Sequence, residues 1–358
     1  MHDLNVLIGP NGSGKSNFLE VFEILRALPR NAEDRSNILE LLSKGGGIEQ
    51  WIWNSNKRSQ IFISVITLIN DNPVFEHMFT LDQSYIDQEY INNIFQKDVS
   101  NLYKKVFGAS STFDLKTKKL EPVEDAPHLL SILSQRSGNK QIGMLANQYE
   151  SIRLYREWPF GRNTVLRAPQ PSDQRNNRLE SDFSNLGMVL SRLRKDPITK
   201  RALITGLQEL YEGLTDFEVI IEGGTVQIFF TEGDYSIPAT RLSDGSLRYL
   251  CLLAILLDPT PPPLICIEEP ELGLHPDIMP QIADLLINAS KRTQLVVTTH
   301  SDVLIDALSE QPESVLVCEK HEGQTHIKRL DKDEIGHWLK DYRLGQLWTR
   351  GEIGGNRW

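Results

Sequence analysis

Near the start of the chain, Gly9-Pro10-Asn11-Gly12-Ser13-Gly14-Lys15-Ser16 has the residue types and spacing that hold a polyphosphate. The pattern G-x-x-x-x-G-K-[ST] is met by Gly9, Gly14, Lys15 and Ser16. Its glycines let the backbone curl so that successive N–H groups face a phosphate chain. The helix predicted to follow points its positive end at the same place. Lys15 would bring a point charge to the β- and γ-phosphates, and Ser16 would offer its hydroxyl to Mg²⁺. The nucleotide-binding set read from this segment runs from Gly9 through Pro10, Asn11, Gly12, Ser13, Gly14, Lys15 and Ser16 to Asn17, with ATP and Mg²⁺ as the expected ligands.

A second acidic element is Leu264-Ile265-Cys266-Ile267-Glu268-Glu269-Pro270. An apolar strand here delivers two carboxylates at its C-terminal end, where open α/β sheets place their ligand chemistry. Adjacent strand residues point to opposite sides, so the two glutamates take different jobs. Glu268 is expected to hold Mg²⁺ or its water, and Glu269 to polarise the attacking water. Leu242-Ser243-Asp244-Gly245-Ser246 precedes a strongly apolar helix. Hydroxyls and amides at a helix N-terminus form a further anion site, although the same string also suits a plain N-cap with a turn. Downstream, the strand Gln294 to Thr298 runs into Thr299-His300-Ser301, which places a histidine where it can sense or stabilise a γ-phosphate.

These residues need a frame. Leu4 to Ile8 reads as a buried strand feeding the Gly-rich loop, and Ser16 to Leu28 as the helix after it, ended by Pro29. A second helix is expected over Arg35 to Leu42, ended by Gly45-Gly46-Gly47. Ile61 to Ile69 and Val74 to Leu81, separated by Asn70-Asp71-Asn72-Pro73, carry a hairpin signature, while Tyr85 to Phe113 is ambiguous between strands and a short helix. From about Ala126 to Gly213 the reading is mostly helical. Strands return at Phe217 to Ile221 and Thr225 to Phe230 around Gly223-Gly224. The last third alternates helix and strand (helices Ser246 to Leu257 and Ile278 to Ala289, strands Leu264 to Ile267 and Gln294 to Thr298), which implies a mainly parallel sheet with helices on both faces.

The order of elements is phosphate loop, long insertion, LSDGS, IEEPELGLHP, then TTHSD. It resembles the ABC-type P-loop ATPases, and within them the soluble branch that includes the RecF, SMC and OLD-like ATPases. The ending from Gly345 to Trp358 looks like that of small bacterial ATPases of this branch. The resemblance implies an α/β head with a mainly parallel core sheet, an antiparallel β subdomain and a helical lobe. It divides the chain into 1–125 and 214–358, the two parts of the ATPase lobe, and 126–213, the helical lobe. It implies two heads facing in opposite directions, with the loop and Glu268/Glu269 of one copy meeting Ser243, Gly245 and Ser246 of the other across the γ-phosphate. Glu271 to Pro276 would run along that interface. Lys15, Glu269 and His300 are the implied catalytic residues, and Ser16, Glu268 and a glutamine joining the two lobes the implied metal contacts. Gln135 and Gln141 are candidates for that glutamine, with Gln135 taken for the metal. The family carries strands ahead of the phosphate loop that help hold adenine, and little chain precedes Leu4, so the adenine contacts are left unassigned. SMC-type heptads and an OLD-type nuclease domain are not found in the sequence.

Two basic clusters bear on partners. Arg153, Arg156, Arg162, Arg167 and Arg175 are interleaved with Tyr155, Trp158 and Phe160, and Arg192, Arg194, Lys195, Lys200 and Arg201 form a second group. They offer a nucleic-acid surface, a solvated helical lobe or a docking face for a partner. The balance of 48 acidic against 38 basic residues, a net charge of −10, argues against a positively coated protein but not against a local patch. DNA and a separate nuclease or toxin effector are the partners considered besides a second copy of the chain. Trp51 and Trp53 read as packing residues. Cys251, Cys266 and Cys318 are far apart and lack metal or disulfide spacing, which fits a reducing cytoplasm, with Cys266 as a buried strand residue. No apolar run approaches the ~20 residues of a membrane helix, and the first residues lack the pattern of a secretory signal.

Overall fold

The computed structural model describes residues 1–355 apart from 32, 35–36, 45–59, 70–71, 83–84, 95–99, 107–108, 115–118, 123–129, 136–138 and 160. Trp51, Trp53, Phe160, the triple glycine at 45–47 and the last three residues therefore lie outside the described residues. The chain forms two compact units, Met1–Leu19 with Arg153–Trp358, and Glu20–Ile152.

The first unit is built on a six-stranded sheet. Its order is Gln324–Arg329, Val315–His321, Leu4–Ile8, Gln294–Thr298, Leu264–Glu268 and Arg153–Tyr155. The last five are parallel, and Gln324–Arg329 returns antiparallel as a hairpin. Strands covered on both faces must be apolar throughout rather than alternating. Leu4–Ile8 is buried at every position, and Leu264–Glu268 is buried up to its final glutamate. This strand order places the phosphate-loop strand next to Gln294–Thr298, with the acidic strand one place further along.

The helix Asp244–Leu256 buries every residue from Leu247 to Leu256. It joins Leu186–Leu193 and Pro197–Leu210 in the core of this unit. Burying a leucine or isoleucine side chain contributes about 1.5–3 kcal/mol, so this helix is fixed by packing on all sides. Leu214–Glu222 and Thr225–Glu232 pair antiparallel through Gly223 and Gly224, whose φ values of 55° and 77° suit a two-residue hairpin turn. Tyr235–Pro238 and Gln170–Pro171 complete that smaller sheet. Of the mostly helical reading of 126–213, the described helices are Lys140–Glu150, Leu186–Leu193 and Pro197–Leu210. The stretch 153–184 is instead short strands and turns.

The second unit holds an antiparallel meander of Gln60–Ile69, Asn72–Asp82, Tyr85–Asn93, Ser100–Val106, Ala109–Asp114 and Lys119–Pro122. The described residues of the ambiguous region 85–113, apart from Ile94, are thus strand. The helix after the phosphate loop, Lys15–Ala27, begins in the first unit and ends in the second. Among the described residues no helix is long and apolar enough to cross a membrane. Cys251, Cys266 and Cys318 are free thiols and all buried.

Candidate nucleotide site

The phosphate loop is shaped by glycines that nothing else can replace. Gly9 and Gly14 have φ of 148° and 98°. A Cβ on Gly9 would lie 2.2 Å from the carbonyl oxygen of Cys318, and one on Gly14 would lie 2.2 Å from Thr325 Oγ1. The loop is therefore walled on one side by the Val315–His321/Gln324–Arg329 hairpin. Ser13 N–H closes a turn onto the Pro10 carbonyl at 3.1 Å. The amides of Asn11, Gly12 and Gly14 have no protein acceptor among the described residues. Ser13 Oγ is buried without a hydrogen-bond partner. Free amides and an orphaned hydroxyl ahead of a helix N-terminus are the donor set of an anion cradle.

Lys15 is buried and donates from Nζ to the carbonyls of Gly9 (2.7 Å) and Pro10 (3.1 Å). Burial holds its pKa down, opposed by the nearby carboxylates of Glu269, Glu268 and Glu271. A desolvated cation satisfied only by carbonyls fits a phosphate, which offers it a stronger partner.

Ser16 Oγ donates to Glu268 Oε1, so the loop and the end of the acidic strand are in direct contact. Among the described residues no group of three or more His, Cys, Asp or Glu could hold a metal by itself. A cation at Ser16 and Glu268 would take its other ligands from phosphate and water, the manner in which Mg²⁺ is usually held. Glu268 Oε2 accepts from Arg156 Nε at 2.9 Å, and its backbone carbonyl accepts from Trp158 Nε1 at 2.9 Å.

Glu269 sits at φ 47°, a left-handed conformation that costs a non-glycine residue energy. Three groups hold it there. Its N–H donates to the Thr298 carbonyl at 3.0 Å and to Thr298 Oγ1 at 3.3 Å, and its carbonyl accepts from the guanidinium of Arg248. Arg248, on the helix Asp244–Leu256, is 2% exposed and stacks on Trp158 at 4.1 Å. His300 Nε2 lies 3.7 Å from Glu269 Oε1. Burial, then the charge of Lys15, push the His300 pKa down, which keeps the ring neutral at pH 7.

Glu271 ties the two rims together. Its Oε1 accepts from Thr299 Oγ1 (2.8 Å) and from His300 N–H (2.7 Å), while Oε2 is buried without a partner. Burial raises its pKa. The sign follows from linkage: a raised carboxyl pKa favours the folded state at low pH, and that contribution is lost as pH rises through the folded pKa. Glu271→Gln keeps an acceptor for both donors and removes the buried charge. It is expected to raise the melting temperature more at pH 8 than at pH 5. Equal shifts at both pH values in thermal melts would count against a buried, charged Glu271.

The LSDGS string is an N-cap as well as a candidate anion site. Ser243 Oγ accepts from Ser246 N–H at 3.0 Å and lies 2.9 Å from Ser246 Oγ. Ser243 is exposed, and no hydrogen bond or ion pair joins Ser243, Gly245 or Ser246 to the phosphate loop. Asp244 is held by Arg167 at 2.7 Å and by the Gly161 amide at 3.0 Å. The loop residues, Glu268, Glu269 and His300 are thus brought together, while Ser243 is exposed and Gly245 and Ser246 are half-buried beside it. Asn17 is exposed on the helix. Gln135 and Gln141 lie in the other unit, on the turn Ile132–Gln135 and the helix Lys140–Glu150.

Much of the basic surface read from the sequence is engaged within the protein. Arg156 pairs with Glu268, Arg167 with Asp244, Arg192 with Asp258 and Lys200 with Asp216. Tyr155 is buried with its hydroxyl on the Leu179 carbonyl, and Trp158 stacks on Phe183. These aromatics pack the protein and are not open stacking platforms. Arg156, Trp158 and Arg248 are the site residues that sequence reasoning missed. Their signal was spatial: a strand end level with the acidic strand, and a guanidinium brought from the helix Asp244–Leu256 to the Glu269 carbonyl.

The family model described as "AAA domain, putative AbiEii toxin, Type IV TA system" matches residues 4–306. The chain belongs to this family. It carries an AAA-type domain on a mixed α/β fold with a mostly parallel core sheet. Among solved structures, it is similar to an Smc head bound to the C-winged helix domain of ScpA (14% identity, TM-score 0.49, covering 92% of this chain and 91% of that one). It is also similar to an Smc head with an extended coiled coil bound to the C-terminal domain of ScpA from Pyrococcus furiosus (12%, 0.47, 94% and 92%). A third is the SMC head domain from Thermotoga maritima (14%, 0.41, 91% and 90%). Comparison with curated proteins finds no match.

Proposed function

We propose that this protein binds Mg²⁺–ATP and hydrolyses it to ADP and phosphate, and that ATP draws two copies together head to head. The observation that carries the reading is the contact between the phosphate-loop hydroxyl of Ser16 and Glu268, with Glu269 and His300 beside it. Lys15 would exchange its loop carbonyls for phosphate oxygens. Bound Mg²⁺, held by Ser16 and Glu268, would supply charge neutralisation. Glu269, fixed by Thr298 and Arg248, would orient water, and neutral His300 would hydrogen-bond the terminal phosphate. Such catalysis is mostly positioning and electrostatics. The exposed Ser243, with the Gly245 and Ser246 amides, would complete the site of a second copy.

The dimer would act on DNA, in repair or maintenance, or in defence against phage. A second reading, for which the family's description offers a toxin–antitoxin setting, is an ATP-dependent subunit that controls a separate nuclease or toxin effector. The wild-type protein is expected to release phosphate from ATP only with Mg²⁺, and to elute as a dimer only with ATP. No Mg²⁺-dependent release above a buffer control would sink the reading. DNA binding whose affinity falls steeply with salt would favour the DNA role; salt-independent or absent binding would favour the effector.

A further inference from the structure

We propose that Arg156 is a phosphate-binding residue of this site, a second cation beside Lys15 that reads the terminal phosphate of the nucleotide. The proposal rests on the hydrolysis reading above and adds a residue to it.

Position is its first ground. Arg156 follows the strand Arg153–Tyr155, the parallel neighbour of the acidic strand. Tyr155 is in register with Ile267, so Arg156 and Glu268 stand level at the C-terminal rim of the sheet. Arg156 Nε donates to Glu268 Oε2 at 2.9 Å, and Oε1 of the same carboxylate accepts from Ser16. The guanidinium is thus two hydrogen bonds away from the hydroxyl of the phosphate loop. The rim is rigid there, because the Trp158 indole donates to the Glu268 carbonyl and Arg248 stacks on that indole.

Chemistry is the second ground. A side chain at this rim could contact a metal only through an acceptor atom, and a guanidinium has none. Its natural ligand is an anion, and its planar fork suits carboxylate and phosphate alike. Charge balance points the same way. Glu268, Glu269 and Glu271 all act on Lys15, and Arg248 faces Glu271 and Glu269, which leaves Glu268 the carboxylate that Arg156 balances. A triphosphate adds further negative charge at their side. A fixed cation on Glu268 offsets that carboxylate and lowers the repulsion that the phosphate end would meet. Because it stands at the acidic strand rather than on the loop, it meets the terminal phosphate and not the inner two.

Binding of Mg²⁺–ATP and Mg²⁺–ADP tests this by titration calorimetry on the full chain carrying Glu269→Gln, a background chosen to keep ATP intact. Arg156→Gln is added to that background, and Arg156→Lys separately. Removing a charge-assisted contact is expected to weaken Mg²⁺–ATP on the order of tenfold and Mg²⁺–ADP by less than about twofold, with Arg156→Lys in between because it keeps charge but not the fork. Equal weakening of both nucleotides, or none in either variant, overturns the proposal. If Arg156→Gln does not fold, Arg156→Lys alone decides by whether its ATP-to-ADP affinity ratio falls. A parent protein that binds neither nucleotide overturns the hydrolysis reading and this proposal together. A parent that discriminates ATP from ADP as well with Arg156 changed overturns this proposal alone.

Discussion

Glu269→Gln is expected to lower ATP turnover by ~10²–10³-fold while leaving ATP affinity nearly unchanged. The substitution keeps the size and the hydrogen-bonding reach of the side chain and removes the charge proposed to orient water. It leaves the backbone alone, and the backbone is where this residue is fixed. The φ of 47°, the two contacts to Thr298 and the Arg248 contact to its carbonyl do not depend on the carboxylate. Lys15, Ser16 and Glu268, which the proposed function assigns to the phosphates and the metal, are untouched. The variant is therefore expected to accumulate as an ATP-bound dimer. Gel filtration with ATP and Mg²⁺ reads the dimer, and phosphate release under single-turnover conditions reads the chemical step. Turnover within a factor of ~3 of wild type would assign water activation elsewhere. Loss of turnover without a dimer would break the proposed link between ATP and association.

The parts of the site that were legible in the sequence are those set by local chain geometry. A loop whose glycines must adopt positive φ ahead of a lysine and a helix has few alternatives, and Gly9 and Gly14 show the constraint twice, in φ and in space. Adjacent glutamates at a strand end must diverge: Glu268 meets Ser16, and Glu269 meets His300. What was not legible depends on pairing between distant segments. Nothing local to Arg153–Tyr155 says that it lies beside Leu264–Glu268, so Arg156 reads as one basic residue among several. The same holds for Arg167, whose partner Asp244 is far along the chain. The region 85–113 was ambiguous for a different reason. Its strands bury Glu89 and Lys105, which breaks the alternation of apolar and polar residues by which a half-buried strand is recognised.

Those buried residues set the largest expected stability effect, the loss on Glu89→Ala. Glu89 is fully buried and accepts from His77 Nε2 at 3.1 Å, from the Ser131 hydroxyl and from the Ile132 amide at 3.0 Å. The hydroxyl of the buried Tyr149 lies 3.2 Å from His77 Nδ1, so both ring nitrogens of His77 are engaged. Lys105 is 1% exposed; burial lowers its pKa, and Glu89 is the first charge that opposes the shift. Removing the carboxylate therefore takes acceptors from three buried donors and a counter-charge from a buried lysine. Breaking a buried ionic network from one side costs about 3–5 kcal/mol, whereas replacing both charges with apolar groups of similar volume can be neutral. Glu89→Ala is expected to lose stability in that range in urea unfolding, and Glu89→Leu combined with Lys105→Met to recover more than half of the loss. A single-variant loss below about 1 kcal/mol would mean that the network contributes little. Failure of the double variant to recover would place the cost in the hydrogen bonds to Ser131, Ile132 and His77 rather than in the charge.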